Sequence, residues 1–351
     1  MKNQEKYIKR CIELAKNGLG KTYPNPMVGS VIVYKDRIIG EGWHRKAGEP
    51  HAEVNAVKSV KEEDRHLLKE STIYVSLEPC SHFGKTPPCA NLIVEQGIKK
   101  VVIGIIDSNS LVSGRGVSIL EKNGHEVFFG SLQEECYDLN KRFFTFQNKK
   151  RPYIILKWAA SEDGFLDQNR EVNLKEEAKP NWITNVYSRQ LVHKWRTEEQ
   201  AILVGTTTVL KDNPSLTSRD WKGNNPVRIV LDRSLKIPQD FQVYNREVKT
   251  IILTEKEQES DEMLCFEKID FTKPIAKQIC DILYKHHLQS LIVEGGKQTL
   301  ETFVEENLWD EARVFHGKIQ FFNGVKEIEI KGKLMKERMI EEDNLKIYYN
   351  K

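Results

Sequence analysis

The sequence predicts two α/β domains in tandem, and three observations carry that prediction. At 351 residues the chain is long for one core and fits two domains of roughly 150–200 residues each. Short apolar, strand-like runs alternate with segments of helical periodicity in both halves, the pattern of helices packed on a mixed or parallel sheet. Between the halves, polar and basic Gln147-Asn148-Lys149-Lys150-Arg151-Pro152 reads as a linker. It separates a domain over 1–146 from a second over 150–351.

Tyr7, Ile8, Cys11, Ile12, Leu14 and Ala15 fall at helical spacing and predict an amphipathic helix over 5–17. Pro24-Asn25-Pro26 breaks it, and strands over 28–34 and 37–42 then pair around Lys35-Asp36. A helix over 53–61, a strand over 72–76, a helix over 88–96, a buried strand over 101–106 and a short helix over 117–123 complete the first series. Beyond the linker come a strand over 153–159, a helix over 185–197, and strands over 201–205, 227–231 and 248–253. A helix over 273–285 and a strand over 289–293 follow. Alternating apolar and charged residues over 313–350 predict edge strands. No Gly-x-Gly-x-x-Gly follows a strand, so nothing asks for a Rossmann domain. Gly114-Arg115-Gly116 comes nearest, lacks the third glycine, and reads as a loop pair shaping a pocket.

Lys and Arg total 54 against 51 Asp and Glu, a balance without the electrostatic footprint of a nucleic-acid binder. The longest apolar stretches, such as 101–106, are far too short to span a bilayer. Charged Met1-Lys2-Asn3-Gln4-Glu5-Lys6 lacks a signal-peptide core. A cytoplasmic protein with neither membrane nor nucleic-acid partner is expected, as is a homo-oligomer. The 6 cysteines are few for the length and do not form a disulfide framework. Cys11, Cys136, Cys265 and Cys280 read as core residues; only Cys80 and Cys89 have neighbours that point to chemistry.

Those neighbours are His51-Ala52-Glu53 and Pro79-Cys80-Ser81-His82-Phe83-Gly84-Lys85-Thr86-Pro87-Pro88-Cys89. His51, Cys80 and Cys89 supply three zinc ligands and leave a fourth position for water, as catalytic rather than structural sites do. Zinc lowers the pKa of such a water towards neutrality. The resulting nucleophile attacks a ring carbon bearing an amine, while Glu53 collects the water proton and delivers it to the ring and to departing ammonia. Two other readings use the same residues: a deaminase directed at nucleic acid, and a non-catalytic zinc- and nucleotide-binding sensor.

The long spacing between the cysteines resembles the deaminase half of the bifunctional riboflavin-biosynthesis deaminase/reductase family. Pro24-Asn25-Pro26-Met27-Val28-Gly29 and Leu111-Val112-Ser113-Gly114-Arg115-Gly116 are similar to its motifs as well. So, in the second half, are Lys157-Trp158-Ala159-Ala160-Ser161-Glu162-Asp163-Gly164, the run from Val204 to Arg219, and Val293-Glu294-Gly295-Gly296. The resemblance covers nearly the whole chain. It implies a cytidine-deaminase-like α/β/α sandwich followed by a dihydrofolate-reductase-like α/β domain.

It also implies one zinc ion, NADPH, and a phosphorylated pyrimidine substrate. Asn25, His44, His82 and Lys85 would surround that substrate in the deaminase, with Asp107 and Asn109 near its ribose phosphate. In the reductase, Ala159, Trp182, Thr208, Asp212, Gly295, Gly296, Lys297 and Gln298 would lie near NADPH. Arg196, Leu216 and Arg219 would face the phosphorylated substrate, and Lys157 and Glu294 would handle protons as hydride passes to C1′ of the ribosyl chain. Four segments depart from the family pattern: Asp107-Ser108-Asn109-Ser110, Ser161-Glu162-Asp163-Gly164, residues 167–172 and the stretch around Phe315 to Gly324.

Overall fold

The computed structural model describes residues 2–81, 87–107, 114–130, 132–172 and 179–350. It divides into two compact units, Met1–Lys150 and Arg151–Lys351.

In the first unit, α1 (Lys2–Ala15) precedes the hairpin of β1 (Gly29–Tyr34) and β2 (Arg37–Trp43). Its two-residue turn puts Lys35 and Asp36 at φ 44° and 65°, the left-handed pair that matches strand twist. Then follow α2 (Ala52–Ser59), β3 (Thr72–Val75), α3 (Cys89–Glu95), β4 (Lys100–Ile103), α4 (Arg115–Lys122), β5 (Glu126–Phe129), α5 (Gln133–Leu139) and α6 (Lys141–Lys149). The sheet runs β2-β1-β3-β4-β5, antiparallel on the hairpin side and parallel from β3 onward. Strand residues alternate between its faces. Ile32, Ile73, Val75, Val101 and Ile103 pack with Ala56, Val57, Ala90, Ile93 and Leu120 of α2, α3 and α4. Val31, Val33, Tyr74 and Val102 pack on the other side with Tyr7, Ile8 and Cys11 of α1 and Cys136 of α5. The result is the expected three-layer sandwich.

The second unit comprises β6 (Tyr153–Ala160), β7 (Phe165–Asp167), α7 (Val186–Glu198), β8 (Ala201–Gly205), α8 (Thr206–Asp212), β9 (Val227–Leu231), β10 (Thr250–Thr254), β11 (Leu264–Lys268) and α9 (Ile275–Lys285). It continues with β12 (Ser290–Val293), α10 (Lys297–Glu305), β13 (Glu311–His316), β14 (Val325–Lys326), β15 (Gly332–Ile340) and β16 (Asp343–Asn350). The main sheet runs β11-β10-β9-β8-β12-β6-β13-β16-β15, parallel except where β16 meets β13 and β15. The central strands are apolar on both faces. Ile154 and Leu156 meet Ile279 and Leu283 of α9 and Leu300 and Phe303 of α10, while Ile155 and Ile292 meet Val192 and Trp195 of α7.

Several boundaries differ from the sequence reading. Gln147, Asn148 and Lys149 end α6 rather than forming a linker, because Phe143, Phe144 and Phe146 anchor that helix to the core. β4 stops at Ile103, where Gly104 passes so close to Cys136 and Ser76 that a side chain would clash. Gly116 lies in the first turn of α4, not in a loop. Of the C-terminal strands, β15 is an edge of the main sheet and β14 pairs only with β7, whereas β13 and β16 are paired on both sides. Cys11, Cys136 and Cys280 are buried as expected, but Cys265 is partly exposed on β11, itself an edge.

Candidate active sites in the two units

The metal-ligand candidates come from three chain segments that the sandwich fold brings to one place. His51 caps α2, with Glu53 in the first turn behind it, and Cys89 opens α3. Cys80 lies beyond the end of β3, and its sulfur accepts the Cys89 amide at 3.3 Å. The His51 Nδ1 atom is 3.5 Å from the Cys80 sulfur and 3.4 Å from that of Cys89. With metal–sulfur bonds of about 2.3 Å and a metal–nitrogen bond of about 2.0 Å, a tetrahedral zinc centre sets nitrogen and sulfur about 3.5 Å apart. The three donor atoms lie within 4.8 Å of one another, so both their chemistry and their spacing fit zinc.

The cysteine pair is already biased towards that ion. A hydrogen bond from the Cys89 thiol, aided by His51 and the Cys89 amide, holds the Cys80 thiol far below its ordinary value. Cys89 is held up by the same bond, by burial and by Glu53. Glu53 is only 3% exposed. Burial, with the neighbouring Cys80 sulfur, pushes its carboxyl up to about 7. A carboxyl poised there can accept a proton and return it at neutral pH.

Two expected substrate residues stand beside the metal ligands. The amide nitrogen of Asn25 is 3.1 Å from His44 Nε2, and His44 Nδ1 is 3.2 Å from the Pro50 carbonyl. The His44 ring meets that of His51 edge-on at 5.3 Å between centroids. Burial lowers the His44 pKa, favouring a neutral imidazole. Asp107, also expected to face substrate, is 7% exposed. His82, Lys85 and Asn109 lie outside the described residues.

In the second unit, Lys157 on β6, Arg196 on α7 and Glu294 after β12 converge. Arg196 donates to both Glu294 oxygens, at 2.7 and 3.2 Å, and to the Thr217 carbonyl at 2.9 Å. Lys157 Nζ is 4.0 Å from Glu294. Burial opposes the charge on Glu294, but Arg196 and Lys157 outweigh it and hold the carboxyl at about 2. Burial also lowers Lys157, reinforced by Arg196 and resisted by Glu294. Arg196, expected to face the phosphorylated substrate, spends three of its five N–H groups on Glu294 and Thr217. Arg219 is exposed and, among the described residues, donates to the Ser215 hydroxyl at 3.1 Å. Leu216 between them is buried at φ 58°.

The expected cofactor residues, Trp182 excepted, lie at or just beyond the ends of β6, β8 and β12. Gly296, at φ 70°, caps α10, whose first residues are Lys297 and Gln298. A β-carbon on Gly295 would stand 2.8 Å from Val204, and one on Gly296 3.2 Å from the Thr208 hydroxyl. Only glycine permits backbone this close to the neighbouring strand and to a helix start able to receive phosphate. Ala159 lies on β6 and Thr208 and Asp212 on α8. Trp182 is 54% exposed, with the Arg189 guanidinium 4.6 Å above its ring. These residues fit a dinucleotide phosphate and a planar ring.

Residues 1–105 match the cytidine and deoxycytidylate deaminase zinc-binding region, and residues 152–319 match the RibD C-terminal domain. The riboflavin biosynthesis protein RibD of Aquifex aeolicus is 43% identical over 318 residues, 88% of this chain and 85% of that protein. The chain belongs to the RibD family. Its counterpart from Bacillus amyloliquefaciens is 38% identical over 90% of this chain and 85% of its own. A solved Thermotoga maritima structure superposes with a TM-score of 0.88 at 38% identity, covering 99% of both chains. That protein is a diaminohydroxyphosphoribosylaminopyrimidine deaminase and 5-amino-6-(5-phosphoribosylamino)uracil reductase. The present chain is thus a bifunctional riboflavin-biosynthesis enzyme, a deaminase that uses zinc and a reductase that uses NADPH. Among the described residues no helix is long and apolar enough to cross a membrane.

Three supporting residues escaped the sequence reading. Buried Asn140, between α5 and α6, bonds the Met27 amide and carbonyl at 2.8 and 2.9 Å and so fixes the loop that carries Asn25. Arg170 bonds Asp167, Asp212 and the Lys179 and Lys211 carbonyls. His193 approaches the Thr217 carbonyl and Asp220, both at 3.0 Å, bracing the loop of Leu216 and Arg219. The i, i+3 relation of His193 to Arg196 on one helix was the available signal for the last. Asn140 reaches Met27, and Arg170 reaches Lys211 and Asp212, across sequence separations that no local pattern reveals.

Proposed function

We propose that the first unit deaminates the diaminopyrimidinone ribotide and that the second reduces the ribosyl chain of the deaminated product. One observation carries this reading: three converging metal donors beside a buried carboxyl that is not needed as a ligand. His51, Cys80 and Cys89 would hold zinc, which when bound supplies the Lewis acidity that brings water to reactivity near neutral pH. Glu53 takes one proton from the attacking water and passes it to the ring nitrogen, then carries the proton of the newly added hydroxyl to the departing amine. The amine leaves as ammonia and a carbonyl replaces it. Asn25 and neutral His44 orient the pyrimidine ring; His82 and Lys85 complete its surroundings, and Asp107 and Asn109 its ribose phosphate.

In the second unit Gly295, Gly296, Lys297 and Gln298 receive the NADPH phosphates, with Ala159, Trp182, Thr208 and Asp212 around the rest. Bound there, NADPH would supply the hydride that C1′ of the ribosyl chain receives. Lys157 delivers the balancing proton, Glu294 keeps that ammonium charged, and Arg196 keeps Glu294 ionised and oriented. Arg219 draws the substrate phosphate beside Leu216. A cytoplasmic homo-oligomer acting on small molecules, with no nucleic-acid or membrane partner, suits the near-neutral charge. Incubating the protein with the diaminopyrimidinone ribotide tests the whole scheme. Ammonia and the aminouracil ribotide are expected without NADPH, and the ribityl product with it; deamination confined to oligonucleotides would overturn it.

A further inference from the structure

Glu78 is 4% exposed, and among the described residues its carboxylate accepts from four backbone amides. One oxygen accepts from Asp107 at 3.3 Å and Gly114 at 3.0 Å; the other accepts from Gly116 at 2.9 Å and Val117 at 3.4 Å. The Glu78 amide in turn donates to the Ile105 carbonyl at 2.9 Å. The chain therefore enters and leaves 108–113 at a single buried anion. Charge-assisted bonds of this kind are about twice as strong as neutral ones. They also saturate the positive end of α4 with the protein's own carboxylate, so those amides are not a phosphate site. Gly116 lets the contact form: a β-carbon there would stand 2.1 Å from the Pro79 carbonyl. Glu78, Pro79 and Cys80 are consecutive, so one short segment holds a metal-ligand candidate together with Asp107 and Gly114.

We propose that Glu78 is a positioning residue of the deaminase, which sets the place of Asp107 and of the first turn of α4 relative to the Cys80 segment. It touches neither zinc nor the pyrimidine and acts on affinity for the substrate's ribose phosphate arm. The proposal rests on the reading of Asp107 as a substrate residue.

Glu78→Gln keeps the shape but replaces one acceptor oxygen with a donor nitrogen that faces two amides. For ammonia release from the diaminopyrimidinone ribotide, KM is expected to rise about tenfold or more while kcat changes less than about threefold, with zinc content unchanged. A fall in kcat at unchanged KM, or loss of zinc, would overturn the proposal. Asp107→Asn separates it from the reading beneath: if Asp107→Asn leaves KM unchanged, that reading fails. If Asp107→Asn raises KM and Glu78→Gln does not, the positioning role alone fails. Amide hydrogen exchange in the zinc-loaded wild-type protein decides the case where Glu78→Gln does not fold. Slow exchange at Asp107, Gly114, Gly116 and Val117 is expected, and exchange at the rate of open loops would overturn it.

Discussion

Glu53 and Glu294 are both buried carboxyls, yet their surroundings send them in opposite directions. Around Glu53, burial and the Cys80 sulfur raise the carboxyl to about 7; around Glu294, Arg196 and Lys157 hold it at about 2. The first is fitted to shuttle a proton and the second to remain an anion. Glu53→Gln is expected to keep zinc bound while ammonia release falls by ~10²–10⁴-fold, measured by metal analysis and ammonia assay; unchanged release would remove Glu53 from the mechanism. Glu294→Gln removes the one neighbour that raises the Lys157 pKa, so Lys157 loses its proton at lower pH. The alkaline limb of the reductase pH–rate profile should then move to lower pH, and an unmoved limb would mean that Lys157 does not titrate there. The same substitution leaves the half-buried Arg196 without its carboxylate partner, a loss of up to about 3 kcal/mol at neutral pH by urea unfolding. Since Glu294 falls from its ordinary 4.5 to about 2 on folding, its stabilisation is full above about 4.5 and disappears as pH drops through about 2. The gap between the two proteins should narrow across that window.

At the scale of elements, chemistry sits where strands end and helices begin. His51 and Cys89 open α2 and α3, Gly295 and Gly296 join β12 to α10, and Thr208 stands in α8 just beyond β8. The β12–α10 junction tolerates no added atom facing β8. Gly295→Ala forces Val204 to yield, a cost of about 1–3 kcal/mol, and should weaken NADPH binding at least about tenfold by calorimetry. An unchanged Kd would show that the junction does not shape the cofactor site. Much of this was legible beforehand. Apolar runs marked β3, β6, β8 and β12 because central strands of parallel sheets are buried on both faces. Less legible were β5, whose residues are mostly exposed, and α5 and α6, whose value lies in what Asn140 does for a loop far away in sequence.

At the scale of the whole molecule, each unit has its own sheet and its own core. Residues 1–150 and 151–351, produced separately, are expected to fold cooperatively by circular dichroism and to retain ammonia release and NADPH oxidation respectively. Failure of either fragment to fold would show that its core is incomplete alone. Chelation should abolish ammonia release in the full chain while NADPH oxidation with the aminouracil ribotide continues, since the metal donors all belong to the first unit.

By itself the sequence determined the division into two α/β units and singled out His51, Cys80 and Cys89, which the fold gathers as one possible metal site, with Glu53 beside them. Those features are local: residue type, spacing and strand or helix period express them within a few dozen residues. Tertiary structure alone decided which way Arg196 points, that Glu78 gathers amides from both sides of 108–113, and that Asn140 holds Met27. Such roles depend on partners that meet only after the sheet has formed. Buried polar groups must then find hydrogen bonds wherever the fold places them, and no pattern along the chain encodes that choice.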